Sequence, residues 1–167
     1  MSIVLVGFDI SSRCTGYSKY VNGELVSSGT INFYKNKEDS SVRLKKMKKA
    51  IIGHLLMMKP DIVVVEKSAS NNNIKIQRML SEINGIIEGY CILNNVEYVT
   101  YTPAIWRMYV RDKDENLPKT RKELKVWAIK KVYQLFPNAN LQTDDEAEAI
   151  LIGLARINEI ERYAVVE

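Results

Sequence analysis

Two short apolar runs, each closed by an acid, constrain this chain more than any other feature. Residues 3–8 read IVLVGF and are followed by Asp9; residues 62–65 read IVVV and are followed by Glu66. Both are rich in β-branched residues and too short for a buried helix, so each reads as a buried strand. An acid at the end of such a strand costs free energy unless a cation or a hydrogen-bond donor meets it.

The segments between and after these runs set the order of elements. "TGYSKYVNGELVSSGTINF" reads as two further strands around Asn22-Gly23, a strong hairpin signal. "EDSSVRLKKMKKAIIGHLLMMK" is helical, with Val42, Leu44, Met47, Ile51, Leu55 and Met58 near one stripe, and Pro60 ends it. A second helix spans about Ile74 to Leu93, with Ile76, Met79, Leu80, Ile83, Ile86, Ile87 and Tyr90 at 3/4 spacing. Inside it Gly85 and Gly89 share a face, each costing about 1 kcal/mol of helix propensity. Such a pair makes sense where another backbone approaches, either the sheet beneath or a partner subunit. "VEYVTYT" is a fifth strand. A short helix over Pro103–Val110, a mobile-looking polar loop Arg111–Pro118, a basic helix Lys119–Leu135 and a last helix from Asp144 to about Ile160 complete the chain. The expected class is α/β. Three meandering strands followed by strand–helix alternation is the order of the ribonuclease H-like fold, a five-stranded mixed sheet flanked by helices, and residues 1–167 are expected to form a single domain.

Charge is more informative by position than in sum. The formal net charge is only +4, but Lys35–Lys59 holds eight Lys/Arg against two acids, and Ile105–Lys131 holds nine against four. Thr143–Ile150, by contrast, has four acids and no base. Basic surroundings with an acidic focus suit a polyanion held around a metal site. Cys14 and Cys91 give neither zinc spacing nor a disulfide framework. No run approaches the roughly 18 apolar residues of a membrane span, and the expected location is the cytoplasm.

If the strands ending in Asp9 and Glu66 are parallel neighbours, the two acids lie together at one sheet edge. They would repel and partly protonate unless a cation is shared. The third acidic element is "TDDEAEAILIG", in which Asp145 and Glu148 lie at i, i+3 and Asp144 and Glu148 at i, i+4; either pair faces one way on a helix. Thr143 and Glu146 form a capping box, which accounts for Glu146. It does not account for Glu148, a turn further in, between Ala147 and Ala149 on a helix otherwise apolar almost all round. Oxygen-only ligands suit Mg²⁺ or Mn²⁺, and two such ions about 4 Å apart can serve an in-line phosphoryl displacement. The only histidine, His54, lies mid-helix among apolar residues and reads as structural.

With these acids located, the chain resembles the RuvC-type Holliday junction resolvases, particularly the compact versions of phages and large DNA viruses. The resemblance runs over about residues 3–158, through "GFDISSRCTGYS", "DIVVVEK" and "DDEAEAILIG". It implies a homodimer that grips a four-way DNA junction and makes symmetric nicks for recombination and repair, in the host cytoplasm if the chain is phage-encoded. It also implies metal coordination by Asp9, Glu66, Asp145 and Glu148, with two Mg²⁺ ions per site and Mn²⁺ as a substitute. The choice of Asp145 over Asp144 rests on the family pattern, an acid, two residues, then a second acid. Glu148 stands where bacterial members more usually carry Asp. A family lysine near the start of the penultimate helix contacts phosphate, and Lys119, Arg121 and Lys122 are the candidates here. Bacterial members place an aromatic three residues after the second acid; Ala69 stands there instead, so weak sequence selectivity is expected. Arg13, Arg78, Arg107, Arg111 and Lys113 are further candidates for contact with the DNA backbone, which would make binding steeply salt-dependent. Trp106 reads as core.

Three rivals differ in kind. An actin-like or sugar-kinase ATPase shares the opening acid and hairpin but needs a second domain and glycine-rich nucleotide loops, which 167 residues with eight scattered glycines do not provide. A branched-DNA-binding module without catalysis gains nothing from acids clustered near phosphates. The same nuclease chemistry on flaps or forks is compatible with every motif above.

Overall fold

The computed structural model describes residues 2–34, 38–67 and 73–164. Ala69 and most of the polar run that contains it lie outside these residues. Three strands open the chain: β1 (Val4–Asp9), β2 (Cys14–Val21) and β3 (Glu24–Asn32). Asn22 and Gly23 turn the hairpin between β2 and β3 with φ of 51° and 85°, the doubly positive pair of a tight twisted turn. Then follow α1 (Ser40–Met58), β4 (Ile62–Glu66), α2 (Ile74–Asn94), β5 (Glu97–Tyr101), α3 (Pro103–Val110), α4 (Arg121–Leu135) and α5 (Asp144–Ala164). The sheet order is β3-β2-β1-β4-β5, with β1 antiparallel to β2 and parallel to β4. This is the five-stranded mixed sheet of the expected fold.

Period-two alternation divides the core between two helix layers. Val6, Phe8, Val63 and Val65 pack with Leu44, Met47, Ile51 and Leu55 of α1 and with Ile83 and Ile87 of α2. Leu5, Ile62 and Val64 point the other way, into a cluster with Trp106 of α3, Trp127 and Val132 of α4, and Ile150, Leu151 and Ala155 of α5. Asp9 and Glu66 keep the parity of Leu5 and Val64 and therefore face the second layer.

The seat of α5 on β1 and β2 is unusually close. A Cβ on Gly16 would lie 2.0 Å from the Asp145 carbonyl oxygen, and one on Gly7 would lie 2.7 Å from that of Ala149. Ser18 and Tyr20 donate hydroxyl hydrogen bonds of 2.8 Å to the carbonyls of Ala149 and Ile150. Ala147 and Ala149 are fully buried in this seam.

Two local expectations are refined. The loop after α3 is tied down: Lys131, 2% exposed, donates to Asp112 at 2.7 Å and to Glu115 at 2.9 Å, and the Trp127 indole donates to Glu115 at 2.6 Å. Lys131 is thus an internal anchor and not part of the basic surface. On α2, a Cβ on Gly85 or Gly89 would meet none of the described residues within 4 Å, so the sheet is not what approaches them. His54 is structural, its Nδ1 2.8 Å from the Ala50 carbonyl and its ring 4.8 Å from that of Tyr17.

Candidate active site

The register that pairs Phe8 with Val65 brings the next residues, Asp9 and Glu66, side by side at the carboxyl ends of β1 and β4. The first turn of α5 arrives over them because Gly16, the β2 partner of Asp9, leaves room for the Asp145 backbone. Thr143 caps the helix, accepting from the Glu146 N–H at 3.1 Å. Glu146 turns away from the cleft to Ser28 and the Gln142 N–H, at 2.6 and 2.8 Å. Thr143 thus caps as expected, but the reciprocal half of the capping box does not form: the Glu146 carboxylate reaches past Thr143 to the Gln142 N–H and across to Ser28.

Asp9, Asp145 and Glu148 each offer an oxygen within 4.8 Å of the others. Glu66 stands beside this trio, with Oε2 accepting the Trp106 indole N–H at 2.6 Å. All four acids line one cleft of about 410 Å³, together with Ser11, Tyr34, Arg107, Arg121 and Lys125. Asp144 is turned out of the cluster and paired with Lys125.

Electrostatics describe the same focus. Removal from water, then the charges of Glu148, Glu66 and Asp145, holds the Asp9 carboxyl well above its ordinary value. Burial, then Glu66, raises Glu148, while Arg107, 3.3 Å away, opposes it. Burial raises Glu66 and Asp145 as well, against hydrogen bonds from Trp106 and from the Cys14 thiol respectively. Burial would lower the Lys125 ammonium, but Asp144, Asp145 and Glu148 lift it above its usual value. Carboxylates so placed are most stable when a cation sits among them.

Of the basic residues singled out in the sequence, Arg107 and Arg121 reach the cleft. Arg13, Arg78, Arg111, Lys113, Lys119 and Lys122 are exposed outside its lining. Lys125 and Trp106 were missed as site residues. Lys125 is one helical turn beyond Arg121 and so on the same face, a spacing visible in the sequence. Nothing in the sequence signals the aim of the Trp106 indole.

No family model matches the sequence. The crossover junction endodeoxyribonuclease RuvC of Brachyspira hyodysenteriae is 26% identical over 157 residues, which is 92% of each chain. Among solved structures, RuvC of Thermus thermophilus, in complex with a Holliday junction substrate, superposes with a TM-score of 0.72 at 14% identity over 96% of each chain. The fowlpox virus resolvase, in complex with substrate Holliday junction DNA, gives 0.65 at 14% identity over 95% of this chain and 99% of its own. The chain is thus similar along nearly its whole length to the RuvC-type Holliday junction resolvases, and its fold is their ribonuclease H-like fold.

Proposed function

We propose that this protein is a structure-selective DNA endonuclease that nicks four-way junctions by metal-dependent phosphodiester hydrolysis, acting as a homodimer. The observation that carries this is the convergence of Asp9, Asp145 and Glu148, with Glu66 alongside, in a cleft that also presents Arg107, Arg121 and Lys125.

The donor set fits a hard divalent cation. It is all oxygen, and its members raise one another's proton affinity in the absence of a cation. Asp9, Glu66, Asp145 and Glu148 would hold Mg²⁺, or Mn²⁺ in its place, as two ions. When bound, such ions stabilise both the attacking and the leaving oxygen of an in-line displacement. The remaining work falls to the chain's own side chains. Arg121 and Lys125, on one face of α4, offset phosphate charge at the cleft and orient the strand being cut. Arg107 braces Glu148 from α3.

Homodimerisation is supported by α2. Ser81, Gly85 and Gly89 recur every four residues; Ser81 is exposed, no described residue comes close to where a Cβ on either glycine would lie, and Ile74, Ile92 and Leu93 on the same helix are 64%, 71% and 84% exposed. Gly85→Leu is expected to leave the monomer folded and to weaken the dimer about tenfold or more in sedimentation, as overpacking of a close contact does. Unchanged dimer affinity would exclude this face. No helix among the described residues is long and apolar enough to cross a membrane. Two buried free thiols, Cys14 and Cys91, suit a reducing cytoplasm.

The deciding assay uses an end-labelled immobile four-way junction and its linear duplex, with Mg²⁺, Mn²⁺ or EDTA, for the wild type and Asp9→Asn. Paired, metal-dependent nicks near the crossover, absent with the variant and on duplex, are expected. Tight junction binding without cleavage would refute the nuclease, and preferential cutting of flaps or forks would replace the substrate.

A further inference from the structure

Glu66 is set apart from the other three acids by one contact. Its Oε2 accepts from the indole Nε1 of Trp106 at 2.6 Å, and Trp106 has no exposed surface. A buried indole N–H needs an acceptor, and a backbone carbonyl would satisfy it as well. Here it is spent on a carboxylate that borders an acidic cleft. The next residue on α3 does the matching thing in the opposite direction: Arg107 reaches Glu148 Oε1 at 3.3 Å and lies 4.6 Å over the Trp106 ring. Two consecutive side chains of one short helix thus grip carboxylates delivered by β4 and by α5.

An indole has a single N–H, so it fixes one carboxylate oxygen and leaves the other to a different partner. We propose that Trp106 is a positioning residue, whose indole N–H locks Glu66 Oε2 so that Oε1 is presented to a cation shared with Asp9, Asp145 and Glu148. This rests on the metal-site assignment above. Without that donor, Glu66 is a half-buried carboxylate facing the like charges of Asp9 and Glu148, free to turn away from them. Partners of this kind, one step removed from the ion, typically carry a 10–100-fold share of metal affinity.

The test is calorimetric titration of the DNA-free protein with Mn²⁺ alone, for the wild type, Trp106→Phe, Glu66→Gln and the double variant. Trp106→Phe keeps the aromatic packing and removes only the N–H and part of the ring. It should weaken Mn²⁺ binding about tenfold or more in the wild type, and by no more than about twofold when Glu66 is already Gln. An equal loss in both backgrounds, or no loss in either, overturns the proposal. Absence of Mn²⁺ binding by the wild type overturns the metal-site assignment itself, and the proposal with it. Should Trp106→Phe fail to fold, the wild type still decides. On Mg²⁺ titration followed by indole N–H NMR, the Trp106 resonance should move while that of Trp127, bonded to Glu115, stays. A Trp106 resonance unmoved at Mg²⁺ saturation overturns the proposal.

Discussion

Gly16→Ala should damage both the fold and the acidic cluster, for a reason that can be worked from distances. The new methyl would lie 2.0 Å from the Asp145 carbonyl oxygen, 2.4 Å from its carbon and 2.8 Å from the Glu146 nitrogen. All three are backbone atoms, so no rotamer change relieves the overlap. Restoring ordinary contact requires the start of α5 to lift by roughly 1.5 Å. Overpacking of this kind costs about 1–3 kcal/mol, and the rigid partners argue for the upper end. At about 2–4 °C per kcal/mol for a chain of this size, melting should fall by roughly 5–12 °C. The same lift carries Asp145 and Glu148 away from Asp9, well past the ~0.5 Å tolerance of a working constellation, so nicking should drop on the order of a hundredfold. Gly29→Ala is the comparison: its methyl would meet only the Tyr17 side chain, the hydroxyl at 2.7 Å and ring carbon Cζ at 2.9 Å, and no atom of α5, so any loss of stability there should leave the acidic cluster in place. Melting curves and junction-nicking rates for both variants suffice. A Gly16→Ala protein that melts and cleaves like the wild type would mean that α5 does not sit on β2 as described.

Two further outcomes follow from charge. Burial and then Glu148, Glu66 and Asp145 raise the Asp9 carboxyl, so the folded protein keeps a proton that the unfolded chain has lost; metal-free stability should therefore fall as pH rises from the ordinary carboxylate range through the raised one. Metal-free Asp9→Asn should melt above the wild type at pH 7.5, with the gap closing on acidification and on adding Mg²⁺ to the wild type; a lower melting point would refute the mutual repulsion. Lys131→Met removes an ammonium whose side chain is 1% exposed and leaves Asp112 and Glu115, 64% and 25% exposed, to water. The loss in urea unfolding at neutral pH should be roughly 2–3 kcal/mol, below that of a fully buried pair. Burial tends to raise Glu115, but Lys131, the Asp112 N–H and Trp127 hold it below its usual value, so the variant's deficit should shrink as pH falls through that depressed range. An unchanged urea midpoint at pH 7 would show that the loop after α3 is held by something else.

What the sequence made legible was whatever is encoded locally. The β-branched runs ending in Asp9 and Glu66, the Asn22-Gly23 turn and the Thr143/Glu146 cap each carry their own signal within a few residues. Helix limits shifted only slightly, as where Thr120 caps α4 at Arg121 in place of a start at Lys119. The parallel pairing of β1 with β4 followed from topology, and with it the meeting of the two strand acids. Contacts set by the third dimension were not legible. Gly16 reads as one more small residue in a strand, because its necessity lies in a backbone 129 positions away. Lys131 reads as one more surface cation until α4 turns it inward. Trp106 was rightly expected in the core, since burial follows from side-chain type, but the direction of its N–H depends on where β4 ends. Lys125 is legible in principle, since it lies one helical turn beyond Arg121 on the same face of α4.

The close seat of α5 also bears on when the protein could become active. The helix carries two of the four clustered acids and, with Ala147, Ile150, Leu151 and Ala155, much of one core layer. It is made after every strand on which it lies. A chain still emerging from the ribosome, with Asp144 not yet released, holds Asp9 and Glu66 on a sheet face that lacks the helix closing the cleft, and with it Asp145 and Glu148. Completing that face and assembling the acidic centre are one event. A nuclease of the proposed kind would therefore have its folding as its safety catch: no partly made copy could cut DNA.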